Sequence, residues 1–280
     1  MRKNSVAVRK VVGKLVTHLI LMIGLVIMII PFLWMVTTSL KEIWEVFTPQ
    51  MQWLPETPIW QNYVDAWNYA PFGRYYLNTA FVSISVVVLQ LTICSLAAFA
   101  LSRLEFPGRD IIFYGILGTM MLPGTIMLVP SYLVLHWLGW IDTYWALIIP
   151  AVFNAFGIFL LRQFFMTIPK DLDDAAIIDG CSRFGVLWRM IIPLSKPALA
   201  AIGLMTFMGQ WNSFMWPLIV TNSENMRTIT VGISMFKDQF SNMWTLMMAA
   251  STTATIPLLI LFFFSQRFFI EGITLTGMKG

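Results

Sequence analysis

Long apolar runs broken by short charged stretches organise this sequence. A bilayer crossing takes about 20 apolar residues in a helix. Six gaps between charged residues satisfy that: 15–40, 75–102, 111–141, 143–161, 197–223 and 239–266. They predict an all-α membrane protein of six transmembrane helices, the last ending at Arg267. Between the fourth and fifth windows lies a charged stretch, 168–197, reading I-P-K-D-L-D-D-A-A-I-I-D-G-C-S-R-F-G-V-L-W-R-M-I-I-P-L-S-K-P.

That stretch predicts two short helices hinged at a glycine. Pro169 suits the start of a helix, Asp171 is the expected N-cap, and Asp173 and Asp174 fall in the electropositive first turn. Leu172, Ala175, Ala176 and Asp179 share a face at helical spacing, and the alanines let another backbone come close. Gly180 is a left-handed stop. Ser182 can cap a second helix whose Phe184, Leu187, Trp188 and Ile191 recur at i, i+3, i+4 and i+7, until Pro193 disrupts it. Such a stripe outside the membrane needs a partner or a bilayer surface to cover it.

Composition agrees with the windows. The chain is 58% hydrophobic and 11% charged, where a soluble domain carries about a quarter charged residues. Mean hydropathy is +0.74. The net charge of +4 comes from basic residues at loop ends and does not suggest nucleic acid. Of the 18 Lys and Arg, only Lys41, Arg74, Arg227 and Lys237 lie on the far side if the N-terminus is cytoplasmic. The bias therefore puts both termini and 168–197 in the cytoplasm. No cleavable signal peptide is evident. Cys94, in an apolar run, and Cys181, in the charged loop, read as reduced and unpaired.

The outside segment 42–74 carries Trp44, Trp53, Trp60 and Trp67, which form an interfacial belt or contact an external protein. Ala97, Ala98 and Ala100 suit close helix packing, and Pro123, Pro130 and Pro150 predict kinks. The outside loop 221–238 is polar.

The chemistry for catalysis is missing. No G-x-x-x-x-G-K-[ST], H-E-x-x-H or G-x-S-x-G occurs, and His18 and His136 lie far apart. No catalytic residue and no metal site is expected. The windows hold no Asp, Glu, Lys or Arg, which weighs against an ion-coupled secondary transporter working alone, the rival reading. Asn78, Gln90, Asn154, Gln210, Trp211 and Asn212 offer hydrogen bonds and ring faces for a sugar pathway, or else act as glue between helices. Gln210 and Asn212 stand out beside Trp211.

D-A-A-I-I-D-G followed by I-I-P-L-S-K-P resembles the EAA loop of ABC importer permeases, with Asp174 where that family has Glu. P-F-L-W-M, A-A-F-A-L-S-R-L-E-F-P-G-R, R-Q-F-F-M-T-I-P, W-N-S-F-M-W-P-L and the terminal G-I-T-L-T-G-M-K-G together resemble carbohydrate importers of the maltose type, specifically the second permease subunit. The resemblance implies a heterodimer with another permease subunit and an ATP-binding-cassette ATPase dimer docked on the 168–197 helix pair. It also implies an extracytoplasmic substrate-binding protein touched by 221–238. ATP and magnesium would sit on the ATPase, with no cofactor on this chain. It implies a bacterial or archaeal cell membrane, alternating access, and an oligosaccharide, polyol or glycerol phosphate as cargo. The expected division is a tail, first helix and external segment (1–74), a core transmembrane domain (75–268) and a cytoplasmic tail (269–280).

Overall fold

The computed structural model describes residues 2–50, 52–237 and 243–277, with side chains described from residue 13 to residue 266 of these. Every secondary-structure element among the described residues is a helix. The chain divides into two compact units, Met1–Ala70 with Ile233–Thr255, and Pro71–Gly232 with Ile256–Gly280.

In the first unit, α1 (Arg2–Ser39) contains a 27-residue apolar span, Gly13–Ser39. Leu21, Ile23 and Met28 are among many exposed side chains along it, which suits lipid contact rather than a protein core. The chain then folds back on the end of α1. Asn62, in α2 (Gln61–Tyr69), donates from Nδ2 to the carbonyls of Ser39 and Lys41, each at 2.9 Å. Ser39 Oγ and Tyr63 OH are 2.7 Å apart. Lys41 is buried, with Nζ donating to Gln52 O and lying 4.4 Å from the Trp34 ring centroid. Trp44, Trp53, Trp60 and Trp67 remain about half exposed or more.

The second unit is built on α3 (Phe72–Arg103). Around it pack α6 (Tyr144–Val152), α7 (Ala155–Thr167) and α11 (Lys196–Trp211). Small side chains on α3 make the approach possible. Cys94 and Ala98 are fully buried, and a Cβ on Gly157 of α7 would lie only 3.2 Å from Cys94 Sγ. Both cysteines are free. Ile158, Leu161, Phe165, Leu187, Ile191 and Ile202 complete the same core.

Among the described residues, three helices are long and apolar enough to cross a membrane: Gly13–Ser39, Phe72–Arg103 and Trp244–Gln266. Five are reached if each of two bent helix pairs counts as one span. The remaining windows are helical but interrupted, and the described helices give three to five spans beside the six windows. Residues 120–127, containing Pro123 and Gly124, separate α4 (Arg109–Thr119) from α5 (Leu128–Trp137). A 41° bend at Phe153 and Asn154 separates α6 from α7. Residues 212–214 separate α11 from α12 (Met215–Val220). A 79° bend joins Arg183–Leu194 to α11. The final long helix, Trp244–Gly277, continues past the Arg267 expected to end it; part of its window, 239–242, lies outside the described residues.

Candidate functional site

At the Arg103 end of α3 stands the charged helix pair. Its first helix, α8 (Asp171–Ile178), follows directly on the turn at Pro169 and Lys170. The amides of Asp173 and Asp174 both donate to Lys170 O, at 2.8 and 3.1 Å. Lys170 is therefore the N-cap, by backbone alone, and Asp171 is the first helical residue rather than the cap. Asp171, Asp173 and Asp174 all lie in the first turn, where the helix dipole favours anions. The helix ends as expected. Gly180 has φ 82°, and the amides of Gly180 and Cys181 close on the carbonyls of Ile177 and Ala176, at 3.0 and 2.9 Å. Any other residue at 180 would strain that left-handed turn.

Ser182 caps the second helix, α9 (Arg183–Val186), by accepting from the Gly185 amide at 3.1 Å. A single wide π turn, Leu187–Ile191, follows, then α10 (Ile192–Leu194). The Ile192 amide reaches back five residues to Leu187 O, and Pro193 has no amide with which to continue the ladder.

Burial divides the residues of this pair. Ala176 is 9% exposed and joins the bundle core, as do Leu187 and Ile191. Asp171, Leu172, Asp174, Ala175, Asp179 and Gly180 are exposed, together with Ile178 at 85%, Phe184 at 62% and Trp188 at 40%. The two alanines thus do not form one docking face, because adjacent residues on a helix point about 100° apart. Phe184 and Trp188 meet edge to face at 6.0 Å between centroids. The outward surface is Leu172, Ala175, Ile178, Phe184 and Trp188, and Ala176, Leu187 and Ile191 are the root.

Sequence reasoning missed Arg103 as a member of this site. Its side chain is 4% exposed. Nη2 donates to both Phe165 O and Ile168 O at 2.8 Å, at the carbonyl end of α7. Nε lies 3.2 Å from Asp173 Oδ2, close enough for an ion pair. A cation ending a long apolar helix, set against an acid-rich helix start, is the signal that could have found it. A cavity of about 240 Å³ adjoins the pair, lined by Arg103, Glu105, Lys170, Asp173, Asp174 and Arg183 among others. Burial pushes the Asp173 carboxyl above the ordinary carboxylate value despite the Arg103 charge; Asp174 adds to the rise and Lys170 opposes it.

The bundle holds a different kind of space. A cavity of about 400 Å³ is lined by Gln90, Phe153, Asn154, Phe156, Thr206 and Gln210 among others. A second, of about 280 Å³, shares Ala151 and Gln210 with it and adds Gly124, Ser131, Ser213 and Trp216. Both linings are uncharged. The breaks between α4 and α5, α6 and α7, and α11 and α12 all contribute to them. Interrupted backbone at membrane depth is tolerated where protein or a water-filled space meets its polar groups.

Gln90 of α3, Asn154 from the break before α7 and Gln210 of α11 are thus brought together. Gln90 also donates to Thr206 Oγ1 at 2.6 Å, and Asn154 Oδ1 accepts from the Gly157 amide at 2.8 Å as the cap of α7. Asn78, Trp211 and Asn212 line neither cavity. Asn78 ties α3 to the outer loop, donating to Asn225 O and Arg227 O at 2.8 and 2.9 Å and accepting from Tyr144 OH at 2.7 Å. Trp211 is buried and stacks on Phe207 at 5.5 Å. Asn212 donates back to Met208 O at 2.9 Å.

Broken helices lining uncharged cavities, with an exposed helix pair beside them, are features of multi-pass membrane transport domains. The chain belongs to the family of the binding-protein-dependent transport system inner membrane component, whose model matches residues 5–274. It is 36% identical over 272 residues to the probable ABC transporter permease protein YurM of Bacillus subtilis, covering 96% of this chain and 90% of that one. It is 34% identical over 277 residues to the sn-glycerol-3-phosphate transport system permease protein UgpE of Rhizobium meliloti, covering 96% and 98%. The arabinooligosaccharides transport system permease protein AraQ of Halalkalibacterium halodurans is 35% identical over 209 residues, 75% of each chain. Among solved structures, a chain of a bacterial ABC transporter involved in import of the acidic polysaccharide alginate superposes with a TM-score of 0.82. It is 26% identical, with 92% of this chain and 96% of that chain covered.

Proposed function

We propose that this chain is the transmembrane permease subunit of an ATP-binding-cassette importer for a carbohydrate, driven by a separate ATPase. The exposed helix pair carries the reading. Leu172, Ala175, Ile178, Phe184 and Trp188 form an apolar surface outside the bundle, on a hinge fixed by Gly180 and Ser182. A surface of that kind is energetically reasonable when another protein covers it. The basic residues near the termini and around 168–197 support a cytoplasmic position for both, on the ATP side. A second permease subunit, forming a heterodimer, would complete the pathway. The polar loop 221–238 would face the extracytoplasmic binding protein, and ATP with magnesium would be held by the ATPase dimer.

In this reading, ATP closes the ATPase dimer, the helix pair moves with it, and the bundle opens outward to a docked binding protein. Hydrolysis separates the motors and the pathway opens inward. Cargo would pass the amides of Gln90, Asn154 and Gln210 and the rings of Phe153 and Phe156. The uncharged lining favours a neutral oligosaccharide over a phosphorylated one. The test is reconstitution. Purification should bring an ATPase and a second permease with this chain, and proteoliposomes of the complex should import labelled oligosaccharide only with ATP. Gradient-driven uptake by this chain alone would overturn the reading.

A further inference from the structure

One guanidinium holds three elements at the root of the helix pair. Arg103 ends α3, its Nη2 satisfies two carbonyls at the end of α7, and its Nε pairs with Asp173 in the first turn of α8. The only covalent link from α7 to α8 is the short elbow of Ile168, Pro169 and Lys170. Arg103 spans that elbow from the side. A reciprocal contact binds α3 to α7: Arg162 of α7 donates from Nε to Leu101 O of α3 at 3.2 Å, and its guanidinium covers the Phe113 ring at 3.9 Å. Of the two arginine contacts, Arg103's is the one that continues into α8, beside the apolar seat of Ala176 in the core. Without it the elbow would turn about that seat, and a push on α8 would be absorbed there.

We propose that Arg103 is the positioning residue that makes α8 move as one body with α3 and α7, so that force on the helix pair reaches the pathway. This rests on the permease reading above. The planar guanidinium is required, because Nη2 must serve two carbonyls while Nε keeps its charge 3.2 Å from the carboxylate, which a single ammonium does poorly.

The assembled complex, in nanodiscs and a Cys181→Ser background, carries Gln210→Cys as reporter; Cys94 is buried. A charged maleimide is timed against position 210 without nucleotide and with ATP plus vanadate. With Arg103 intact, nucleotide should change the labelling rate by about fivefold or more. Arg103→Lys keeps the charge and loses the fork. The double variant Arg103→Gln with Asp173→Asn leaves no buried charge unpaired. Both should still hydrolyse ATP while the nucleotide response falls below about twofold. A full response in either variant overturns the proposal. So does loss of ATP hydrolysis or of assembly in both, which would make Arg103 a support of the fold alone. Absence of any response with Arg103 intact would sink the permease reading instead.

Discussion

The charged cavity beside Arg103 and the uncharged cavity around Gln210 are built on opposite rules. Around Arg103, three cations and three acids crowd a space of about 240 Å³. Around Gln210, amides, hydroxyls and rings line about 400 Å³ without one ionisable group. Ion pairs have strict partners and hold elements in one arrangement. Amides trade partners at little cost and let a hydroxyl-rich solute move on. The charged space has the chemistry of a joint and the neutral one the chemistry of a passage.

The sharpest way to break this contrast is to unbalance the joint. Arg103→Gln alone leaves the part-buried Asp173 carboxylate without its cation and should cost about 3 kcal/mol, the low end for a broken buried pair. Adding Asp173→Asn should return much of that, since no charge is then stranded. Melting of the purified chain in detergent measures both. Recovery of stability without recovery of coupling would separate the two roles of the pair.

Next in size is the pair of neighbouring alanines. Ala176→Trp overfills the core and should destabilise by about 1–3 kcal/mol. Ala175→Trp, on the exposed face, should leave melting unchanged and abolish ATP-driven uptake in the complex. Equal effects on melting would show that the two faces are not distinct.

In the uncharged cavity, Gln90→Leu removes the hydrogen bond to Thr206 and should cost about 1 kcal/mol. Its larger effect should be on uptake, measured as a raised KM for oligosaccharide in proteoliposomes. The smallest effect is that of pH. Asp173 holds its proton more tightly folded than unfolded, so ionisation of the carboxyl opposes folding. Stability from this group therefore rises as pH falls through the raised folded pKa, and levels off below the ordinary value of 3.8. Asp173→Asn should erase that component from a plot of melting temperature against pH, with Glu105, Lys170, Asp174 and Arg183 left in place.

The long apolar helices within 15–40 and 75–102 and the Gly180 hinge were legible because each is a local signal. A long run without charge or break reads as a span, and only glycine readily takes φ 82°. The Ser182 cap was legible for the same reason. Asp171 was misplaced by one residue because the Pro169–Lys170 turn already supplies the carbonyl that a cap would. The interruptions near Phe153 and 212–214 were not legible as breaks, since the polar Asn154 and Asn212 there read as pathway or packing groups within continuous helices. Nor was the split between Ala175 and Ala176, because spacing gives a face but not what lies behind it. Gln90, Asn154 and Gln210 were chosen for amides at depth, and two helices and a break between two others bring them to one cavity. Asn78 answers the same description and is spent on the outer loop. Arg103 was read only as a topology marker, and its partners are far along the chain.

α1 has a consequence of its own. Its side chains look outward along most of its apolar length, so little in the fold depends on which of them stands where. A shuffled order of the same residues would present the bilayer with an equivalent rod, whereas shuffling α3 would put bulk where Cys94 and Ala98 now leave room. Drift along this chain should therefore be fast in its first span and slow in its second.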